Sequence, residues 1–454
     1  MQLRKREIKL LTNNICLILI WVLIYCIFKP DPIIAIGLLG CFLGAAVLKI
    51  PYGIAVILTL YFMIPSDSVS YMFVTSPVGK FPLYIILMLF FILINFFINY
   101  TVSMVIDKRE FLVYIGLFGI IFLQIICLLL FSEKDILSNT VKFAFQTIGM
   151  LLLIKSSKIT ENTIYRISIF IILLSMVSII EGMVEVFGGF NLYSIYGYGE
   201  ILEWLDWMAT SKTSIWRVKS TFANPLIYSS AMVLSLTCVE YIRSKNKNVI
   251  IPIVLISILA IGMLMGGSRS AIIILAIYLI YFVIDSKAKQ KLFFVAGIII
   301  TCMLVLHFMD LSLIFERFTT SKTDGSLSHR LTAYGVFLKL FGQYFLIGCG
   351  LGNTYDVLQG QISEEFITNT FDNAFMDFSL GIGVIGVIVM IIVFKNIRDI
   401  CKRKDHRLLK CAMLLAIALS FFLNITKYQS LWGILWVYIG LNIYGIQDFQ
   451  EDRS

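Results

Sequence analysis

The sequence predicts an all-α polytopic integral membrane protein. Hydrophobic residues make up 59% of the 454 residues and charged residues only 14%, whereas a soluble domain is nearer half apolar and a quarter charged. The apolar runs are continuous and about 20 residues long, which is the length of a helix that crosses a ~30 Å hydrocarbon core. A β-barrel would instead show alternating segments of about 10 residues.

We expect 12–14 transmembrane helices. The second and third candidates are short and are separated only by Lys49-Ile50-Pro51, so they form either a tight hairpin or incomplete crossings. The candidate spans are 11–28, 32–48, 51–65, 82–104, 111–131, 138–154, 163–184, 225–242, 249–266, 269–284, 291–308, 376–394, 408–425 and 430–446.

Lysine and arginine in the connections predict the orientation of the spans. With the N-terminal Arg4-Lys5-Arg6 cluster inside, most basic residues fall in inside connections, including the strongly basic loop 395–410. Both termini are therefore expected to be cytoplasmic. The first span is interpreted as an uncleaved signal anchor, because no small-residue cleavage site follows Phe28. The net charge of +9 then indicates contact with anionic lipid and excludes nucleic acid as a partner.

Two outward segments, 185–224 and 309–375, are too long to be simple connections. Segment 201–208 combines tryptophans with acids, which is typical of a helix in the headgroup layer. In the second segment, apolar residues recur at helical spacing from Leu327 to Phe345, which predicts an amphipathic cap helix ended by glycines. The expected organisation is N-terminal helices at 1–184, a first outer loop at 185–224, central helices at 225–308, a large outer loop at 309–375 and C-terminal helices at 376–454.

Arg269 is the most informative charge in the chain. It follows Gly266-Gly267-Ser268 between two apolar runs, and charge at such a place is costly unless it has a function. The predicted topology places Arg269 on the outer face together with Arg217 and Arg330. Guanidinium groups bind phosphate oxygens bidentately, so the three arginines predict a phosphorylated ligand. The alternative is that some of them only anchor headgroups or pair with acids.

Two further segments begin membrane spans with polar residues. Asn224-Pro225 is a typical helix start, and a helix N-terminus beside Arg217 and Lys219 favours an anion. Simple capping is the alternative role of Asn224. Asp372-Asn373 precedes the next such span, and Asp372 is a candidate general base for a hydroxyl nucleophile or, alternatively, an N-terminal cap. Histidines are scattered and cysteines lie mostly in spans, so neither a metal ion nor another cofactor is expected.

These motifs resemble, in their order, those of the O-antigen polymerase and O-antigen ligase family of bacterial envelope polysaccharide enzymes. The motifs are Thr221–Pro225, Gly266–Ala271, Arg330 followed by Gly348–Gly352, and Asp372–Phe375, so the resemblance covers roughly residues 215–395. It implies a GT-C-like membrane glycosyltransferase in the bacterial inner membrane, with an outward-facing, metal-independent site and a glycan donor on undecaprenyl pyrophosphate. It also implies that pyrophosphate is bound by Arg217, Arg269 and Arg330, and the other candidate substrate-binding residues are Lys219, Asn224, Ser268, His329 and Asn373.

Ligases of this family usually carry His-Asn where this chain has Asp372-Asn373, which favours a polymerase that joins lipopolysaccharide repeat units. Asp372 is the expected base, with His329 and Glu203 as alternatives. A ligase is the alternative within the family, and a transporter or flippase of lipid-linked glycan is the alternative from another class. The expected partners are an undecaprenyl-pyrophosphate-linked donor and acceptor, membrane lipids, a chain-length regulator and a flippase.

Overall fold

The structure is a computed structural model, and its helices account for most of the residues that it describes. These residues are 32–63, 73–76, 79–98, 107–157, 159–188, 191, 218–222, 224–246, 248, 250–285, 326–359, 371–402 and 407–445. Helices α1 to α7 span Pro32–Leu48, Tyr52–Met63, Leu83–Ile98, Lys108–Phe131, Lys134–Ala144, Met150–Ser156 and Glu161–Gly188. Helices α8 to α15 span Pro225–Lys245, Ile250–Met265, Arg269–Asp285, Ser326–Gln343, Thr354–Gln359, Ala374–Cys401, Arg407–Ser420 and Gln429–Tyr444.

Five continuous helical segments are long and apolar enough to cross a bilayer, and several shorter apolar helices pack among them. A π-helical turn, Phe145–Gly149, joins α5 to α6, so that one of the five segments runs over Asp135–Ser156. These segments confirm the predicted all-α polytopic membrane protein. The predicted spans 11–28 and 291–308 lie outside the described residues.

Helix α8 lies at the centre of the bundle. Of its most apolar window, 94% is buried by other parts of the protein, and its neighbours are α7, α9, α14 and α15. Helices α4 and α13 lie at the periphery, and large apolar side chains such as Phe122 and Ile391 are exposed on them. So much exposed apolar surface is unfavourable in water and is typical of a protein that contacts lipid.

The helix ends divide into two faces. On the basic face, Lys155 forms a 2.5 Å ion pair with Glu110, and Arg109 donates to the carbonyl of Asp399 at 2.9 Å. Lys245 pairs with Glu161 on the same face. The opposite ends of α7, α8 and α13 form the loop face, where the described parts of the two long predicted loops meet the bundle.

Helix α13 is broken at Gly383, whose φ of 64° and ψ of −179° are not helical. The break leaves backbone groups of α13 without partners in the helix, and the segment 345–350 satisfies four of them. Cys349 and Gly350 donate to the carbonyls of Leu380 and Gly381 at 2.9 and 3.0 Å. The N–H groups of Val384 and Ile385 donate to the carbonyls of Phe345 and Leu346 at 2.8 and 3.2 Å. Broken helices are tolerated in membranes where protein satisfies the freed groups in this way.

The cap helix predicted in the large loop is present as α11, and its side that faces the protein carries Ala333 and Leu340, both buried. Three residues of the predicted apolar stripe, Tyr334, Leu338 and Phe345, are exposed. This part of the stripe therefore faces away from the protein. An antiparallel hairpin that the sequence analysis did not predict pairs two strands, β1 at Phe73–Ser76 and β2 at Gly79–Pro82. The predicted interfacial helix at 201–208 lies outside the described residues.

Candidate functional site

The segment Val218–Phe222 is held to the bundle by Glu185, near the loop-face end of α7. The Glu185 carboxylate accepts the N–H of Ser220 at 2.8 Å, the N–H of Lys219 at 3.2 Å and the Nδ2 of Asn191 at 2.9 Å. All of these groups are buried. Because one carboxylate binds two consecutive peptide N–H groups, it fixes the backbone of this segment as well as its position.

A second set of contacts fixes the other side of the same segment. Thr221 Oγ1 donates to the carbonyl of Phe62 at the end of α2, at 2.5 Å. It also shares a hydrogen bond with Ser178 Oγ at 3.1 Å. Ser220 Oγ donates to the carbonyl of Ser178 at 2.5 Å. The start of the predicted motif, at Thr221 and Phe222, is thus packed against the bundle on the loop face.

The Gly266–Ala271 motif forms the tight turn between α9 and α10. Gly267 has a φ of 59°, in the left-handed region that glycine adopts without strain. Gly266 lies against the first turn of α8, and a Cβ atom at this position would overlap Ser229 Oγ. Ser268 Oγ accepts the N–H of Ala271 at 3.3 Å and shares a hydrogen bond with Ser270 Oγ at 2.8 Å. Ser268 is therefore buried and occupied in capping α10.

The two motifs meet through their backbones. The N–H of Val218 donates to the carbonyl of Met265 at 3.2 Å, immediately before the glycine turn. The structure therefore brings the residue that follows Arg217 beside the turn that carries Arg269. Arg269 is the first residue of α10 and is partly buried. Arg217 and Glu203 lie outside the described residues.

Lys219 is buried, with 1% of its surface exposed, beside Glu185. Burial lowers the pKa of its amine to about 8, and the nearby Glu185 acts in the opposite direction. The amine of Lys219 is therefore a positive charge buried beside Glu185. Its peptide N–H also serves to hold the segment on Glu185.

Two predicted substrate-binding amides serve as helix caps. Asn224 Oδ1 accepts the N–H of Leu226 at 2.8 Å at the start of α8. Asn373 Oδ1 accepts the N–H groups of Phe375 and Met376 at 2.9 and 3.3 Å at the start of α13. These hydrogen bonds are the capping alternative that the sequence left open for Asn224. Asp372, just before this cap, is exposed.

His329 and Arg330 lie in the first turns of α11. Their side chains are outside the described part of the structure, so the convergence of Arg330 with Arg269 stays a prediction. The roles assigned to Asp372, Arg269 and Arg330 likewise stay predictions.

A polar pocket that the sequence did not predict opens on the same face. It has a volume of about 270 Å³, and Asp377, Lys142 and Lys427 are the charged residues in its wall. Asp377 Oδ1 accepts the hydroxyl of Thr354 at 2.7 Å. A signal was present in the sequence, because Lys142 and Asp377 both lie toward the outer ends of predicted spans. Their proximity depends on helix packing, which the spacing along the chain does not reveal.

The comparison with known families agrees with the sequence motifs. The model of the Wzy_C family, described as O-antigen ligase, matches residues 253–391. The match contains the turn that carries Arg269, the cap helix α11 and the glycine-rich contact with α13. A search of curated proteins found no significant match. Residues 253–391 of this multi-pass membrane protein thus resemble a domain of the O-antigen ligase and polymerase family, whose members act as glycosyltransferase-like enzymes in polysaccharide assembly on lipid-linked substrates.

Proposed function

We propose that this protein is a polysaccharide polymerase that joins oligosaccharide repeat units carried on undecaprenyl pyrophosphate. The observation that supports the proposal is the backbone hydrogen bond between Val218 and Met265, which joins the segment that follows Arg217 to the turn that carries Arg269. In the proposal, the guanidinium groups of Arg217 and Arg269 bind the two phosphates of a pyrophosphate leaving group. The loop face is then the outer face of the inner membrane.

In this mechanism a hydroxyl oxygen at the non-reducing end of the acceptor attacks the anomeric carbon of the donor chain. The bond from that carbon to the pyrophosphate oxygen breaks, and its electron pair leaves with undecaprenyl pyrophosphate. The hydroxyl proton passes to Asp372, which is exposed just before the N-terminus of α13. Arg269 and Arg330 stabilise the negative charge that develops on the leaving group.

The packing under the turn supports this role, because electrostatic stabilisation requires charges that do not reorganise during the reaction. Gly266 lies against α8, Val218 is bound to Met265, and Glu185 holds the next two residues. The carbonyl and amide groups that define the turn are thus fixed from both sides.

The first experiment is complementation of a deletion strain with Arg269→Ala. We expect long-chain polysaccharide to be lost while the amount of protein in the membrane is unchanged. Arg269→Lys keeps the charge without the bidentate geometry and should restore only part of the chain length. Arg407→Ala is the matched control, because Arg407 is an exposed arginine at the basic-face start of α14. Normal chain length in the Arg269→Ala strain would contradict the proposal.

The second experiment separates the polymerase from a ligase, which the family description makes the second candidate. Purified protein is incubated with lipid-linked repeat units and no other acceptor. A polymerase converts them to a ladder of products that differ by one repeat unit. A ligase gives no ladder under these conditions and forms product only when its separate acceptor is added.

A further inference from the structure

The polar pocket on the loop face adjoins an apolar groove. The groove lies between α13, α14 and α15 and has a volume of about 480 Å³. Phe378, Thr426 and Trp432 line both the pocket and the groove. Exposed side chains on its rim, such as Phe375 and Ile417, face the surface where lipid is expected. The two cavities therefore lie side by side, one polar and the other apolar.

The groove extends toward the basic face. Ile391, Phe394 and Met413 also line a second hollow of about 630 Å³ between α13 and α14, which ends at a cluster of basic side chains. From Phe375 to Lys402 the groove follows roughly 40 Å of helix, at 1.5 Å per residue. This length matches the thickness of a bilayer, so a long hydrocarbon chain can lie in the groove without leaving the membrane.

The walls of the pocket are chemically unlike the groove. Asn139, Gln146 and Gln429 present amides, and Asp377 presents a carboxylate already bound to Thr354. Amides and a carboxylate supply both donors and acceptors, as sugar hydroxyls require. Trp432 and Tyr355 add apolar faces with a polar edge.

Two lysines give the pocket a positive balance against its one acid. Lys142 lies on α5 and Lys427 lies in the turn before α15. Asn424 shapes that turn, since its Oδ1 accepts the hydroxyl of Thr426 at 2.7 Å and the N–H of Lys427 at 3.2 Å. Ammonium groups beside sugar-binding amides fit a head group that carries phosphate as well as hydroxyls.

The pocket is separate from the turn that carries Arg269, here called the arginine turn, but a chain of contacts leads from the segment beside that turn to the pocket. The carbonyl of Phe62, at the end of α2, accepts a hydrogen bond from Thr221 in the segment Val218–Phe222. Its neighbour Tyr61 packs edge-on against Tyr84, with ring centroids 5.4 Å apart, and Tyr84 Oη accepts the Nε2 of Gln146 at 3.1 Å. Gln146 lines the polar pocket. A reaction between two lipid-linked glycans needs two such neighbouring head-group sites.

We infer that the pocket and groove bind the acceptor, a polyprenyl-pyrophosphate-linked oligosaccharide, with its sugars and phosphates in the pocket and its hydrocarbon chain in the groove. This inference rests on the proposed function, in which the arginine turn holds the donor. It assigns Asp377 and Gln146 to sugar hydroxyls and Lys142 and Lys427 to the phosphates. The acceptor's growing end then reaches past the end of α2 toward the donor.

The test uses undecaprenyl pyrophosphate that carries one N-acetylglucosamine and a diazirine in its hydrocarbon chain. The full-length protein is placed in nanodiscs of phosphatidylethanolamine and phosphatidylglycerol, irradiated, and digested to locate the label. We expect the label on peptides of α13 and α14. Ile417→Trp fills the groove, and Lys427→Gln removes a pocket charge without touching the groove. Each should lower labelling at least fivefold.

Ile388→Trp is the matched control, because Ile388 is exposed on α13 outside the residues that line the groove. It should label like the unmodified protein. Absence of label from α13 and α14, equal labelling of these helices by a diazirine-bearing phosphatidylglycerol, or unchanged labelling of them in both Ile417→Trp and Lys427→Gln would overturn the inference. Arg269→Ala should lose polymer and keep this label. Labelling therefore reports on the acceptor site even if purified protein forms no ladder, the result that would contradict the proposed polymerase.

Discussion

Replacing Glu185 with Gln tests whether one buried carboxylate holds the segment Val218–Phe222 beside the turn that carries Arg269. Glu185 is 1% exposed and accepts the N–H groups of Lys219 and Ser220 and the Nδ2 of Asn191. The amide of Gln has one accepting oxygen, and its NH₂ group would face a donor. Glu185→Gln therefore removes the charge while it keeps the size of the side chain.

The expected cost follows from the number of bonds. A hydrogen bond to a charged group contributes about 1.5–3 kcal/mol and a neutral one about 0.5–1.5 kcal/mol. Three weakened bonds thus reduce the local stability of the segment by about 3 kcal/mol. Since every 1.4 kcal/mol is tenfold in an equilibrium constant, local opening becomes about 100-fold more frequent.

The assay is hydrogen exchange at the amides of Lys219 and Ser220 in protein embedded in nanodiscs, together with polysaccharide length in the complemented strain. Glu161→Gln is the matched control at the other end of α7. Its ion pair with Lys245 is partly exposed and contributes roughly 0–1 kcal/mol. We expect fast exchange and short polysaccharide only in Glu185→Gln. Unchanged exchange at Lys219 and Ser220 would refute the reasoning.

Three further predictions concern stability. Gly383→Ala should lower the unfolding free energy by more than about 3 kcal/mol and sharply reduce the amount of folded protein. The backbone conformation of Gly383 is nearly restricted to glycine, and a Cβ atom would lie 2.5 Å from the carbonyl carbon of Ile347. Gly335→Ala is the control, because a Cβ atom there meets open space in a helix; it should be neutral or stabilising by up to about 1 kcal/mol, and equal yields of the two variants would contradict the prediction. Asn224→Ala removes the cap of α8 and should lower the unfolding free energy by about 1 kcal/mol, as measured by denaturant titration, whereas no change would show that the cap bond is not stabilising. The pKa of Lys219 is lowered to about 8 in the folded protein, from about 10.4 in an unfolded chain, so the unfolded state binds more protons between these two pKa values. The cost of burying the amine is therefore full below pH 8 and is relieved as the pH rises to about 10.4. Across this window the unfolding free energy of the unmodified protein should rise by roughly 3 kcal/mol relative to that of Lys219→Met, and parallel pH profiles of the two proteins would contradict the prediction.

Much of the membrane architecture could be predicted from the chain because hydrocarbon imposes a local rule. A span must satisfy its own backbone and expose apolar side chains, so composition over about 20 residues is enough to locate it. The starts of α8 and α13 follow a similar local rule, since Asn224 and Asn373 cap their own helices. The contact of Val218 with Met265 could not be predicted, because it joins parts of the chain whose spacing is set by packing around α8.

The break at Gly383 shows the same limit. In a membrane span, small residues spaced like Gly381, Gly383 and Gly386 predict close helix packing. In the structure, Gly383 interrupts the helix, and the segment before Gly350 supplies the missing hydrogen bonds. A glycine that packs and a glycine that bends look alike in one dimension, because the difference lies in what the second segment offers to the freed backbone groups.

By itself, the sequence of this protein determined the helical membrane class, most span positions and the motifs that resemble the O-antigen ligase and polymerase family. These depend on hydrophobicity and short-range spacing, which act within one helix or one turn. Only the tertiary structure decided that Glu185 holds the segment after Arg217, and that Asp377, Lys142 and Lys427 share a pocket beside an apolar groove. The physical reason is that buried hydrogen bonds and cavities belong to pairs of elements, and their partners are chosen by packing over long separations in the chain.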